Sequence, residues 1–179
     1  MTRAGVARLS TAFVASVCLS GLVVAAQGQG RRYSATLVPG QENPALAAPG
    51  QGTILLDVNE GSGEIGYLLS YQNLTAVTQA HIHFEKPGAN GGIMLWLCQT
   101  ATNPAPNAAT PVCPADSGSV SGILVASDVR GIAGQRLTAG DLAAAVDQIR
   151  NGLAYANVHT TAHGGGQIRG QIQQGGARN

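Results

Sequence analysis

The chain has four histidines, and they fall into two short blocks. His81 and His83 stand in QAHIHFEKPGANGG, residues 79 to 92. His159 and His163 stand in NVHTTAHGGG. His81 and His83 are two apart, and in a β-strand residues i and i+2 share one face. Both imidazoles then point the same way, and Ile82 points to the opposite layer. Neutral imidazole is a good ligand for copper, zinc and nickel. Two nitrogens from the H-x-H strand and one from His159 on a neighbouring strand make a three-nitrogen site. His163, a water or an open position supplies a fourth. The bland alternative is that the same side chains only hydrogen-bond across a sheet, and it stands open until the two strands are shown to be neighbours. Copper and zinc are the cofactors this pattern points to. A calcium loop is not among the options, because the acidic residues are scattered singly.

Other chemistries lack their signatures. No G-x-S-x-G surrounds a serine, and no pair of acids has a spacing that suits acid–base work. GANGG follows a strand but opens no helix, so it is not a phosphate cradle. Lys86 is the only lysine and the formal net charge is +1. A nucleic-acid partner is therefore not expected.

The elements that must position the histidines are strands. YSATLV (33 to 38), TILLDVN, EIGYLLSYQNL, Val77 to Phe84, Ile93 to Cys98 and Ser119 to Ala126 all read as β. The turn EGSG makes the second and third a hairpin. IMLWLC is continuously apolar, which suits a strand buried on both faces. LTAGDLAAAVDQIRNG reads as one helix of roughly ten residues, with Thr138 and Asp141 at its start and Gly152 at its end. AYANVHT and GQIRGQI close the chain as two more strands. About eight strands and one short helix, without β-α-β alternation, predict an all-β, antiparallel two-sheet β-sandwich.

The N-terminus carries Arg3 and Arg8, then a largely apolar run from Leu9 to Ala26 ending in small residues. This is the pattern of a secretory signal peptide over residues 1–26, with an uncleaved anchor as the alternative. A short polar lead, 27–32, follows. No other stretch is long and apolar enough to span a bilayer, so no membrane span is expected after signal cleavage. The location expected is secreted, periplasmic or cell envelope. Removal of the leader takes Cys18 and leaves Cys98 and Cys113, an even pair in an oxidising compartment. A disulfide between them would pin the Pro- and Asn-rich loop QTATNPAPNAATPV, at about 3 kcal/mol by loop entropy. A thiolate metal pair would want a shorter spacing.

Three blocks together carry a resemblance: YSATLVPGQENPAL, AHIHFEKPGANGG and YANVHTTAHGGGQIRGQI. In this order and spacing they resemble the chordin-type (CHRD) domain family over residues 33–173, with 174–179 left as a flexible tail. The resemblance implies a single-domain, secreted, bacterial-type member. The family positions matched include His81, His83, His159, Thr160, Ile168, Arg169 and Gln171, and Glu42 keeps its place in the first block. Phe84, Asn43, Gly164 and Gln167 depart from the usual pattern; loss of an acid at 167 removes an expected partner for Arg169. The H-x-H strand, the late V-H and Arg169 are also similar in outline to copper/zinc superoxide dismutases, which like immunoglobulin domains are sandwiches. The separate zinc loop of those enzymes has no counterpart here.

The functional expectation is an exported, non-enzymatic binding module that holds copper or zinc through its histidines. The ligand is thus a metal ion or a protein not identifiable from sequence. One alternative is a structural or interaction module of the envelope, in which the histidines, Thr160 and Arg169 form a buried polar network. The other is a dismutase-like copper oxidoreductase.

Overall fold

The structure, a computed structural model, describes residues 30–175 and Met1. The rest of the expected signal peptide, residues 27–29 of the expected polar lead and residues 176–179 of the expected tail lie outside the described residues. Among the described residues no helix is long and apolar enough to cross a membrane.

Among the described residues, nine strands, one α-helix and three short 3₁₀ turns follow one another. The strands are β1 (Arg31–Leu37), β2 (Gln51–Asn59), β3 (Glu64–Gln72), β4 (Val77–Phe84), β5 (Gly92–Cys98), β6 (Gly118–Leu124), β7 (Ala154–Thr160), β8 (Ile168–Gln171) and β9 (Gln173–Gln174). They form a five-stranded sheet in the order β6-β3-β2-β1-β9 and a four-stranded sheet in the order β5-β4-β7-β8. Every strand pairing is antiparallel. This is the sandwich expected from sequence, with one strand more. The extra strand arises because the last segment divides at Ile172. Ile172 N–H still donates to Ala154 in the four-stranded sheet, whereas Gln173 and Gln174 pair with Ser34 and Tyr33 in the other. Arg31 and Arg32, read from sequence as polar lead, are already in β1.

Alternation builds the core. In β2 the residues at even positions are buried and those at odd positions are exposed or nearly so, so Ile54, Leu56 and Val58 face inward. Ile65 and Leu69 of β3 join them, and Ala80, Ile82, Leu95, Leu97, Ala156, Val158 and Ile168 face them from the four-stranded sheet. Burial of a large aliphatic side chain is worth about 1.5–3 kcal/mol, and this layer is the main source of stability. The helix, α1 (Leu142–Arg150), buries Ala145, Val146 and Ile149. It starts later than the Thr138 expected from sequence. Asp141 is the N-cap, and its carboxylate accepts from the Ala144 N–H at 2.9 Å.

Cys98 and Cys113 are bonded, as expected. Their loop is further held by Gln99, whose amide donates to the Thr110 carbonyl and accepts from the Ala105 N–H.

Candidate metal centre

The functional side chains project from the outer face of the four-stranded sheet. Pairing places His81 opposite Asn157, His83 opposite Tyr155, Gln79 opposite His159, and Asn157 opposite Arg169. The H-x-H strand and the His159 strand are therefore hydrogen-bonded neighbours. The register is irregular around the histidines. It shifts between Ala80 and His81 and between Ile82 and His83 against β5, and again between Val77 and Gln79 against β7. Bulges of this kind re-aim side chains. Here they turn Trp96 of β5 outward beside His81, with ring centroids 4.3 Å apart in an edge-to-face contact. The expectation that β5 is buried on both faces fails at Trp96 and Ile93, which are part-exposed.

An outer sheet face ordinarily meets water. This one is roofed, and all seven residues of β7 are buried. The roof is made by the loop after β4, the turn after β7 and the segment after β1. The Gly91 carbonyl accepts from His83 Nδ1 at 2.9 Å, and the Gly164 carbonyl accepts from His159 Nδ1 at 2.9 Å. The Asn90 amide donates to the Asn43 carbonyl, and the Asn43 amide donates to the Gly88 carbonyl. A side chain at 91 would not fit, since its Cβ would lie 1.9 Å from the Phe84 carbonyl oxygen.

These bonds fix the tautomers. A backbone carbonyl only accepts, so Nδ1 of His83 and of His159 carries the hydrogen and Nε2 is bare. His81 Nδ1 lies 3.1 Å from His159 Nε2. The Asn157 side-chain oxygen, an acceptor, lies 3.0 Å from the same nitrogen, so two lone pairs face each other there. One nitrogen from each of His81, His83 and His159 lies within 4.8 Å of the others. A single point is then within about 3 Å of all three, against ligand bonds of about 2 Å, so a closure of about 1 Å brings them to bonding distance.

Burial keeps the rings neutral. It lowers the pKa of His81 to about 2, helped by repulsion from His159 and His83. It lowers that of His83 to about 4, against the opposing effect of the Gly91 bond. His159 is also lowered, again chiefly by burial. Neutral imidazoles need lose no proton to bind a metal. Two ring nitrogens, His81 Nε2 and His83 Nε2, are buried without a hydrogen-bond partner. Buried polar atoms are seldom left so, and unsatisfied ring nitrogens on two of three clustered imidazoles fit a cation.

The remaining expected residues are placed as follows. His163 is half-buried in the turn after β7, its N–H donating to the Thr160 hydroxyl, and it is not brought into the cluster. Thr160 lies one residue beyond His159 and so faces the other way, donating to Gln167 at 2.7 Å. It is not in contact with the triad network expected to include it. Arg169 is 2% exposed. It donates to Asn90 Oδ1 and to the Ala89 carbonyl, and its guanidinium carbon lies 3.3 Å from the centre of the Tyr155 ring. These groups serve Arg169 in place of the acid missing at 167. Tyr155 in turn stacks on His83, with centroids 4.7 Å apart and planes within 3°. Glu42 is buried beside the Asn157 amide, because a Cβ at Gly166 would meet both, at 2.4 and 2.7 Å. Burial raises the Glu42 pKa to about 7 although Arg169 pulls it down.

Asn157, Tyr155, Trp96 and Asn90 were not read from sequence. Asn157 and Tyr155 carried a usable signal: they stand two and four residues before His159, on its face. Asn90 and Trp96 carried none, since the first acts from a loop and the second depends on the bulges.

No curated protein and no solved structure matches the chain. The family model for the CHRD domain matches residues 33–172, a span that runs from β1 to the end of the β8 segment and includes the H-x-H strand, its roof and the His159 strand; the chain belongs to the CHRD domain family.

Proposed function

We propose that this protein is an exported, non-enzymatic binding module whose roofed sheet face holds one copper or zinc ion through His81, His83 and His159. The observation that carries the reading is the convergence of three neutral, buried imidazoles, two with Nδ1 tied to backbone carbonyls and two with an Nε2 that has no partner. The apolar leader, the Cys98–Cys113 disulfide and the CHRD membership support an extracellular or envelope location. The purely structural module fits less well, because a network evolved only to tie strands together would satisfy its own nitrogens. The dismutase-like reading fits less well too. Arg169 is enclosed and engaged with the loop and Tyr155, so it is not presented to an incoming anion.

The test is elemental analysis of the untagged mature protein, isolated after expression with copper and zinc supplied, beside His83→Ala and His159→Ala. One equivalent of metal per wild-type chain and a loss of at least about 100-fold in affinity in each variant are expected. A wild-type protein that neither retains nor takes up stoichiometric metal, and whose melting temperature ignores chelators, overturns the proposal.

A further inference from the structure

We infer that the ion the triad is shaped for is monovalent copper, bound by three nitrogens with the Trp96 indole as one wall. This rests on the metal-binding reading above and narrows it. The first ground is charge. The donor set is three neutral rings with no carboxylate and no thiolate, since both cysteines of the mature chain are in the disulfide. A fixed cation is stacked onto the site: Arg169 lies over one face of Tyr155, and His83 stacks on that ring. Among the described residues Glu42 is the only buried acid, and it is not one of the converging groups. The cost of placing an ion in a low-dielectric site grows with the square of its charge. A divalent ion with a guanidinium nearby and no ligand counter-charge is therefore strongly disfavoured relative to a monovalent one.

The second ground is ligand number. Zinc takes four ligands, all from protein in structural sites and with a water as the fourth where three histidines hold it, and copper(II) prefers a tetragonal set. Copper(I), with a filled d shell, is stable with three. Here the protein offers three, with His163 outside the cluster. His81, His83 and His159 are 0%, 8% and 5% exposed, which leaves little access for water as a fourth. The Trp96 nitrogen carries hydrogen and only donates, so the indole beside His81 cannot complete a tetrahedron. It can exclude water from that side.

Trp96 is the single tryptophan, and its fluorescence reports directly on the neighbouring ring. The mature protein is titrated without oxygen with copper(I) held by a chromophoric chelator of known affinity, and separately with Zn²⁺ and Cu²⁺. Copper(I)-loaded protein is then exposed to air and examined by electron paramagnetic resonance. One copper(I) per chain is expected, quenching Trp96, with affinity at least about 1,000-fold above zinc and no Cu²⁺ signal after exposure to air. His83→Gln, which preserves a polar side chain, is expected to lose the tight copper(I) site. Zinc binding as tight as copper(I), or a stoichiometric tetragonal Cu²⁺ signal, overturns this inference and leaves the metal-site reading standing. Failure to bind any of the three ions overturns both.

Discussion

The two sheets of the sandwich share a core, yet their outer faces differ. The five-stranded sheet turns an open face to water. Thr36, Thr53, Ser70 and Ser119 stand in register across four strands of it, and Leu55 and Leu68 beside them are 52% and 41% exposed. The four-stranded sheet has an outer face just as polar in sequence, but loops cover it. His81, His83, Asn157, His159 and Arg169 are all buried there. Hydroxyls on the open face are solvated at no cost. The rings, amide and guanidinium under the roof must each find a partner or destabilise the fold. Such buried groups, two of their imidazole nitrogens unpaired, are the physical ground for proposing the metal site on that face.

The comparison is tested most severely with arginine. Arg169→Ala removes the stacking on Tyr155 and the donors to Asn90 and Ala89. It leaves roof acceptors without donors. A loss of about 3 kcal/mol or more is expected in urea unfolding. Arg32, on the open sheet, lies 3.9 Å from Asp57 with both side chains more than half exposed. Arg32→Ala is expected to change stability by no more than about 0.5 kcal/mol. Equal losses in the two variants would mean that the roof contributes nothing special.

A smaller effect separates the faces by pH. Glu42 has an ordinary value of 4.5 and a folded value of about 7, raised by burial against the pull of Arg169. The fold thus favours the neutral carboxyl. Its contribution is fully present below pH 4.5 and is lost as pH rises through 7. The histidines run the other way. Their folded values are depressed, so stability is full above 6.5 and falls as pH drops toward about 4 for His83 and about 2 for His81. Glu42→Gln should therefore match the wild type near pH 4.5 and exceed it at pH 8, by on the order of 2 kcal/mol after allowance for partial screening. The acid-side fall should remain in the variant. Urea melts at pH 4.5, 6 and 8 measure both slopes, and a Glu42→Gln curve parallel to the wild type would place the carboxyl in water.

Much of this face was legible in the residues, for a simple reason. Side-chain alternation has period two, so H-I-H puts two rings together whatever the rest of the chain does. The second block was legible as a partner because it too closes a strand. The same period separates Thr160 from His159, and the sequence reading that joined Thr160 to the triad network passed over it. Three features were beyond reach. The shifted register that turns Trp96 outward leaves no mark in IMLWLC, which has no alternation to break. The roof depends on carbonyls of Ala89, Gly91 and Gly164, and any residue carries a carbonyl. His163 fell outside the cluster because the chain has already turned away at Thr160, where it bonds back on itself. The helix start was missed because two capping residues compete, and Asp141 reaches the third N–H where Thr138 does not.

The finest test makes one substitution twice. Thr→Val keeps shape and β-branching and removes only the hydroxyl, so it asks what surrounds the oxygen. Thr53 is exposed in the middle of the open sheet. Its hydroxyl is served by water in the folded and unfolded states alike, and valine is at least as good a strand former. Thr53→Val should stay within about 0.5 kcal/mol of wild type. Thr160 is 1% exposed. Its hydroxyl donates to Gln167 Oε1 and accepts from the His163 N–H, and Gln167 in turn donates to the Pro49 carbonyl. Thr160→Val leaves the buried Gln167 Oε1 without its donor, while the His163 N–H keeps the Thr160 carbonyl, and should cost about 1–3 kcal/mol in the same urea melts. If the two valines cost the same, the turn after β7 is wetter than its burial indicates, and the difference between the two sheets narrows to the histidines alone.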